Sequence, residues 1–383
     1  KLKTDKWDKL GEGVKDGNVI DVFLDKTNKK IYIAGHFKNV DGIPMDNIAV
    51  YDLTEKSWKH VGEGIPHIAS SLAIDEQNEI VYVSGIFNKV GKGENEIKAN
   101  NIAAFDVKQN KWFPLGEGLD KDCAGIIHDA ELNKIYACGA FTKSGNKPIN
   151  YIGVYDIVAK YWSELPGGTV NQPCKVILKY KDTDELYVGG KFTSTYDNRT
   201  TLSHLGKYSL RENKWSEVSK GVQGVCNTMT YDSNNQKLYI GGSFTKAGND
   251  TDANKVVEYD IKTCNWNNMN CGVNNVVHSL YYDLQSTSLF VGGSFTSTTQ
   301  DNIALNYIAK YVPNENRWHS LETYFQNTQV SVDDKDEKRG LDGLCKVVSM
   351  DDKSLFIAGN FKTAGNICVN SVARYALEKE LQK

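Results

Sequence analysis

Of the side chains in this sequence that could do chemistry, the cysteines are the most regularly placed. Cys123, Cys174 and Cys226 each lie 18 residues before a phenylalanine, at Phe141, Phe192 and Phe244. The same count back from Phe37, Phe87 and Phe295 reaches Val19, Ala69 and Val277. Cys345 takes the position in a last unit, before Phe361, that is two residues shorter. Thiolates converging with an imidazole could hold a transition metal tetrahedrally, and His278 stands one position from this register. Val, Ala and Cys are also small apolar residues that replace one another at a packed position. Core packing is therefore the expectation, with metal or redox chemistry as the alternative. Cys264 and Cys271 flank Trp266 and could bridge across one hairpin, while Cys138 and Cys368 have no sequence-evident partner. Pairing of the eight cysteines stays open, and their number suits either an oxidising or a reducing compartment. The histidines His36, His60, His67, His128, His204, His278 and His319 share no register. No Gly-x-Ser-x-Gly elbow, His-Glu-x-x-His zinc motif or phosphate-cradling glycine loop occurs. The expectation is a protein that is not an enzyme and carries no cofactor.

The elements that position these residues come from a repeat. Seven tryptophans, Trp7, Trp58, Trp112, Trp162, Trp215, Trp266 and Trp318, recur every 50 to 54 residues. All but the first follow an aromatic by seven positions: Tyr51, Phe105, Tyr155, Tyr208, Tyr259 and Tyr311. Upstream of each lies a Gly-x-Phe. Within one unit, Val19–Leu24 is an apolar run that stops at the turn-forming Asp25-Lys26-Thr27-Asn28. Ile31–Gly35 returns as a β-branched and aromatic strand, and Ile48–Tyr51 and Ser57–His60 supply two more. Four short strands per unit at such a period indicate a β-propeller blade.

Counting units gives an all-β, seven-bladed propeller of four-stranded blades, a single domain over residues 1–383. The blade units run approximately 14–62, 63–116, 117–166, 167–219, 220–270, 271–322 and 341–376. The Trp7 strand, near 5–11, has no blade before it, and the last unit has no tryptophan after it. The amino-terminal strand is thus expected to complete the seventh blade and remove a free sheet edge. The repeated Trp and Tyr are expected to pack between blades. The glutamates at Glu12, Glu63 and Glu117 are expected on solvated turns, and the aspartates at Asp52, Asp106, Asp156 and Asp260 in tight Asx turns rather than calcium sites.

The doubled glycines Gly189-Gly190, Gly241-Gly242 and Gly292-Gly293, followed by an aromatic and then Trp seven positions later, resemble the kelch repeat across essentially the whole chain. The variants Gly-Gly-x-Phe-Thr, Asn-x-Ile-Ala-x-Tyr and Leu-Gly-Glu-Gly are more similar to the extracellular propeller repeats of Rax2, a fungal cortical marker, and its relatives. The first three units and the last keep only one of the two glycines, and no BTB-type domain accompanies the array. This resemblance implies a binding propeller with a cell-surface or secreted role in recognition or adhesion. Two alternatives are a galactose-oxidase-like metalloenzyme and an intracellular kelch-type adaptor. Copper chemistry of the galactose oxidase kind needs paired His and Tyr ligands at the ring axis, and the scattered histidines do not suggest them.

The loops indicate where a partner would bind. Trp58 to Ala69, Trp112 to Cys123 and Trp215 to Cys226 all span eleven residues, whereas Trp318 to Cys345 spans 27. The insertion, 322–340, carries Tyr324-Phe325 and then a charged run from Asp333 to Arg339. Long insertions in a regular array are commonly functional, so Tyr324 and Phe325 are candidate anchors for a protein or glycan ligand. Asn198-Arg199-Thr200 and Asn249-Asp250-Thr251 are glycosylation acceptor patterns in polar loops. They favour an extracellular or cell-surface location over a cytoplasmic one. A start at Lys1-Leu2-Lys3-Thr4 suggests a trimmed or processed chain, and no apolar run reaches the length of a membrane span. With 45 basic and 48 acidic residues and no basic cluster, nucleic acid is not an expected partner.

Overall fold

A computed structural model of the chain describes residues 7–180, 183–321 and 340–377. Seven antiparallel blades of four strands, the fifth blade with an added short strand at Thr251–Asp252, each extend outward from an inner strand, and four two-stranded ribbons lie in the connections. The inner strands are Asn18–Asp25, Ile68–Asp75, Cys123–Asp129, Cys174–Lys179, Val222–Asp232, Val277–Asp283 and Leu344–Met350. Blade one continues through Lys30–His36 and Ile48–Asp52 to the outer strand Ser57–His60. Burial on both faces explains the middle strands: in Lys30–His36 successive side chains point to the two neighbouring sheets in turn, and five consecutive positions are buried. Strands covered on both faces read as continuous apolar runs rather than clean alternation.

The seventh blade closes as the repeat count requires. Its outer strand is Trp7–Lys9, paired antiparallel with Val372–Ala376 through Trp7 opposite Tyr375, Asp8 opposite Arg374 and Lys9 opposite Ala373. The Trp7 and Tyr375 ring centroids are 4.8 Å apart, edge to face. That pair reproduces the aromatic couples within the other blades, such as Tyr51 with Trp58 at 5.1 Å and Tyr311 with Trp318 at 5.0 Å. In five blades the repeated tryptophan also ties the outer strand to the connection that enters its own blade, whereas among the described residues the indole N–H groups of Trp7 and Trp112 have no partner. Trp58 Nε1 donates to the Leu10 carbonyl at 2.8 Å, Trp162 to Leu115 at 2.7 Å and Trp318 to Met269 at 2.8 Å. The aromatic repeat is thus interblade packing, joined in five of the seven blades by a directional hydrogen bond.

The doubled glycine has two separate causes. At Gly190 an added Cβ would fall 2.7 Å from the Cys174 Cα in the same blade, because the second strand crosses close over the inner one. At Gly189 it would meet Cys226 Sγ of the next blade at 2.3 Å. Gly292 stands in the same relation to Cys345 Sγ, at 2.4 Å. Units that keep one glycine keep the position nearest their own inner strand, and place Ala34, Ser84, Cys138 or Ala358 at the blade-to-blade position.

Two outcomes follow from this packing. Deleting residues 1–12 lowers the thermal midpoint, and Trp7→Ala alone costs about 1–2 kcal/mol, below the range for fully buried Trp because Trp7 is only part-buried; an unchanged midpoint in both would contradict closure by this strand. Gly189→Ala costs about 1–3 kcal/mol through overpacking. Adding Cys226→Ala should recover part of the loss, which denaturant unfolding of the single and double variants measures.

Candidate functional site

The connections between second and third strands and those between successive blades emerge on one face. An Asx side chain in the entering connection pins most of these loops. Asp120 Oδ1 accepts from the Thr142 and Lys143 amides at 2.7 and 3.0 Å, Asn171 Oδ1 from Thr193, Asn274 Oδ1 from Thr296, and Asp342 Oδ1 from Lys362 and Thr363. Blade two carries Pro66 where blade three has Asp120, so the proline offers no side-chain acceptor. Its second connection is also longer: 15 positions separate Phe87 from Ile102, against 11 from Phe37 to Ile48 and 11 from Phe141 to Ile152. The extra residues form a short 3-10 turn, Gly93–Asn95, held from outside by Glu63, which accepts from the Lys92 amide and from Asn95 Nδ2.

Beside this raised loop is a cleft of about 720 Å³ spanning blades one to three. Ile68 and Ile86, register partners at the ends of the inner and second strands, contribute an apolar patch, and Ile86 is half exposed. Amides of Asn88, Asn100 and Asn146, the rings of His36 and His67 and the charged side chains of Lys98, Glu117 and Asp120 supply polar groups around it. The lining offers hydrogen bonds of both senses around an apolar patch, which suits a hydroxyl-rich or peptide ligand more than a metal.

A second concave feature is the channel mouth. Every inner strand carries a β-bulge against its second strand at the same place, with register shifts at Val19/Asp21, Ala69/Ser71, Cys123/Gly125, Cys174/Val176, Cys226/Thr228, Val277/Ser279 and Cys345/Val347. In blade four, Cys174 and Ile177 pack toward blade three while Val176 and Leu178 pack toward blade five. The bulged residue between them, Lys175, is left to face the axis, since a bulge re-aims one side chain. The seven bulged residues are Ile20, Ser70, Ala124, Lys175, Asn227, His278 and Lys346, and none is buried. Blades one to three therefore present small or apolar groups to the channel, and blades four to seven polar or basic ones.

The bulge also decides the fate of the cysteine register. Cys123, Cys174, Cys226 and Cys345 are each at most 1% exposed and turned into blade interfaces rather than toward the axis. Burial pushes the thiols of Cys123 and Cys226 up to about 12, so they are protonated at neutral pH. His278 lies in the bulge ring, where its Nε2 is 2.9 Å from Ser294 Oγ. Burial, then the Lys346 charge, lowers its pKa to about 4. Among the described residues no three His, Cys, Asp or Glu side chains converge on a metal-sized site. Cys264 and Cys271, read as a possible cross-hairpin bridge, are both free thiols, as are the other six cysteines.

Asp21 follows the bulge of blade one and reaches the next blade, where its carboxylate accepts from the Leu72 amide at 2.8 Å while also accepting from the Val22 amide of its own strand at 2.8 Å. Its burial outweighs these bonds and raises its pKa to about 6. Ser279 does the same work in blade six, accepting from the Val348 amide at 3.0 Å. Asp52 and Asp156 bind the amides two and three residues on, as their Asx turns require.

The candidate anchors Tyr324 and Phe325 lie outside the described residues. Asn198 and Asn249 are both exposed, in the second-to-third-strand connections of blades four and five. The cleft over blade two was missed in the sequence, although the longer spacing after Phe87 was there to count. The channel ring was missed because a bulge is a property of backbone register.

Comparison with known proteins agrees with this architecture. The family model described as the Rax2 C-terminal beta propeller domain matches residues 164–270 and 225–339. Solved extracellular domains from B. thetaiotaomicron superpose along the whole ring. One is assigned to a one component system and another to a hybrid two component system, each with a TM-score of 0.63 and 14% identity over 98% of this chain. The chain spans 40% of the length of those structures, and the likeness at this identity is one of fold. The chain is a seven-bladed β-propeller whose repeats, within 164–270 and 225–339, are similar to the Rax2 C-terminal beta propeller domain.

Proposed function

We propose that this propeller is a non-catalytic recognition domain of a cell-surface or secreted protein, and that it binds a protein or glycan through its loop face. The observation that carries the reading is the cleft over blade two, where a lengthened connection and Pro66 open a concave surface of about 720 Å³ lined by amides and an apolar patch. Asn side chains can donate and accept at once, which lets a small number of them orient a polyhydroxyl or a peptide backbone. Support for an extracellular setting comes from the exposed Asn198 and Asn249 acceptors, from the Rax2 family match and from the extracellular origin of the structural neighbours. Tyr324 and Phe325, in the insertion, remain a second candidate anchor that rests on sequence alone.

Screening the intact domain against immobilised glycans and a surface-protein pull-down identifies the ligand. The double variant Asn88→Ala, Asn146→Ala should then weaken binding by at least about tenfold, or about 1.4 kcal/mol, with an unchanged melting midpoint. Tyr324→Ala with Phe325→Ala is the competing variant. Loss of binding only in that second variant moves the site to the insertion, and full binding in both rejects the loop-face reading. Protein passed through a secretory pathway should lose mass on N-glycosidase treatment, and Asn198→Gln with Asn249→Gln should abolish the shift. A parent chain without glycan at either position would count against surface exposure. As a non-catalytic domain, the protein purified without chelator is expected to carry no stoichiometric copper or zinc, which elemental analysis decides.

A further inference from the structure

We propose that the mouth of the central channel is a binding site for a small oxyanion, a carboxylate or a phosphate, held between Lys175 of blade four and Lys346 of blade seven. The two lysines occupy equivalent bulge positions on blades three apart in a ring of seven, so they stand on opposite sides of the axis and both face it. The bulge recurs in every blade, but only these two place a cation on it; the other positions are Ile20, Ser70, Ala124, Asn227 and His278. Among the described residues neither ammonium makes an ion pair. Asp122, at the entrance of blade three, is close enough to Lys175 to feel its charge but not to pair with it. Asp21, the other carboxylate near the bulge ring, is committed to two backbone amides.

Half-burying a cation opposite another cation is unfavourable on both counts, desolvation and like charge. The Lys346 ammonium shows the consequence, with a pKa lowered first by burial and then by Lys175. A lone anion on the axis offsets both penalties by neutralising the two facing cations, and Asp122, the carboxyl within reach of the Lys175 charge, is itself held toward its neutral form by burial. Nearby groups are suited to that role. His278 is neutral at physiological pH, and Asn227 is fixed by donation from its Nδ2 to the Val277 carbonyl at 3.3 Å. Neither brings a negative charge to the mouth. Lysine binds phosphate or carboxylate as a point charge, so the site selects for charge and size rather than for planar geometry. This site is independent of the cleft over blade two, and the failure of either reading leaves the other standing.

The test is calorimetric titration of the whole chain with inorganic phosphate and, separately, with succinate, at constant ionic strength set by chloride. At least one anion should bind saturably with one site per chain, and the stronger of the two identifies the ligand class. K175M and K346M should each weaken that binding at least tenfold, while K15M, at an exposed lysine outside the channel, should leave it unchanged. Without anion, K346M should melt at or above the parent temperature, since it relieves a buried repulsion. The proposal is overturned if neither anion saturates, if both channel variants bind as the parent does, if K15M weakens binding equally, or if K346M melts well below the parent.

Discussion

A blade of four short strands cannot stand alone, because both of its faces are apolar and each needs a neighbouring sheet to cover it. Everything else in this ring depends on satisfying that demand seven times around without leaving a last face bare. The pairing of Trp7–Lys9 with Val372–Ala376 is where the demand is met, since it gives the seventh blade its outer strand from the opposite end of the chain. The core clusters show the result. Val19, Val22 and Ile33 of blade one pack with Phe356, Ala358 and Val372 of blade seven, as blades one and two pack with each other. Closure converts an array in which each unit touches only its neighbours into one with no end unit.

The fold was legible because its determinants are local and repeated. A Tyr or Phe seven residues before Trp marks the third and outer strands, which pair directly in register, as Tyr51 does with Trp58 and Tyr259 with Trp266. Gly-x-Phe marks the end of the second strand. Even the unpaired Trp7 carried its meaning, since a tryptophan strand with no blade before it and a blade with no tryptophan after it fit together. The irregular glycines were legible only as irregularities. Their reason lies in what the adjacent blade brings up, such as Cys226 against Gly189.

The candidate sites were less legible, for physical reasons that differ from residue to residue. The cysteines were assigned to inner strands correctly, but their direction depends on a one-residue bulge that no period in the sequence reveals. That bulge turns Cys174 into a blade interface and Lys175 to the axis. His278, adjacent to the cysteine register, is the residue that does face the channel, with its imidazole held near Ser294 rather than near a thiol. The insertion after Trp318 drew attention by its size, while the smaller lengthening after Phe87 produced the cleft. Repeat positions thus build the ring, and the bulge and the loop lengths give its one face a distinct character around the circle.

Native-state hydrogen exchange of the second- and third-strand amides, blade by blade, tests the closed ring most directly. Closure through Trp7–Lys9 predicts that Leu355 to Ala358 and Val372 to Arg374 of blade seven exchange only through the same high-energy opening as Leu186 to Gly189 in blade four. In an open array the terminal unit frays at low free energy while interior units stay protected. Blade-seven amides exchanging far faster than those of blade four would contradict the account.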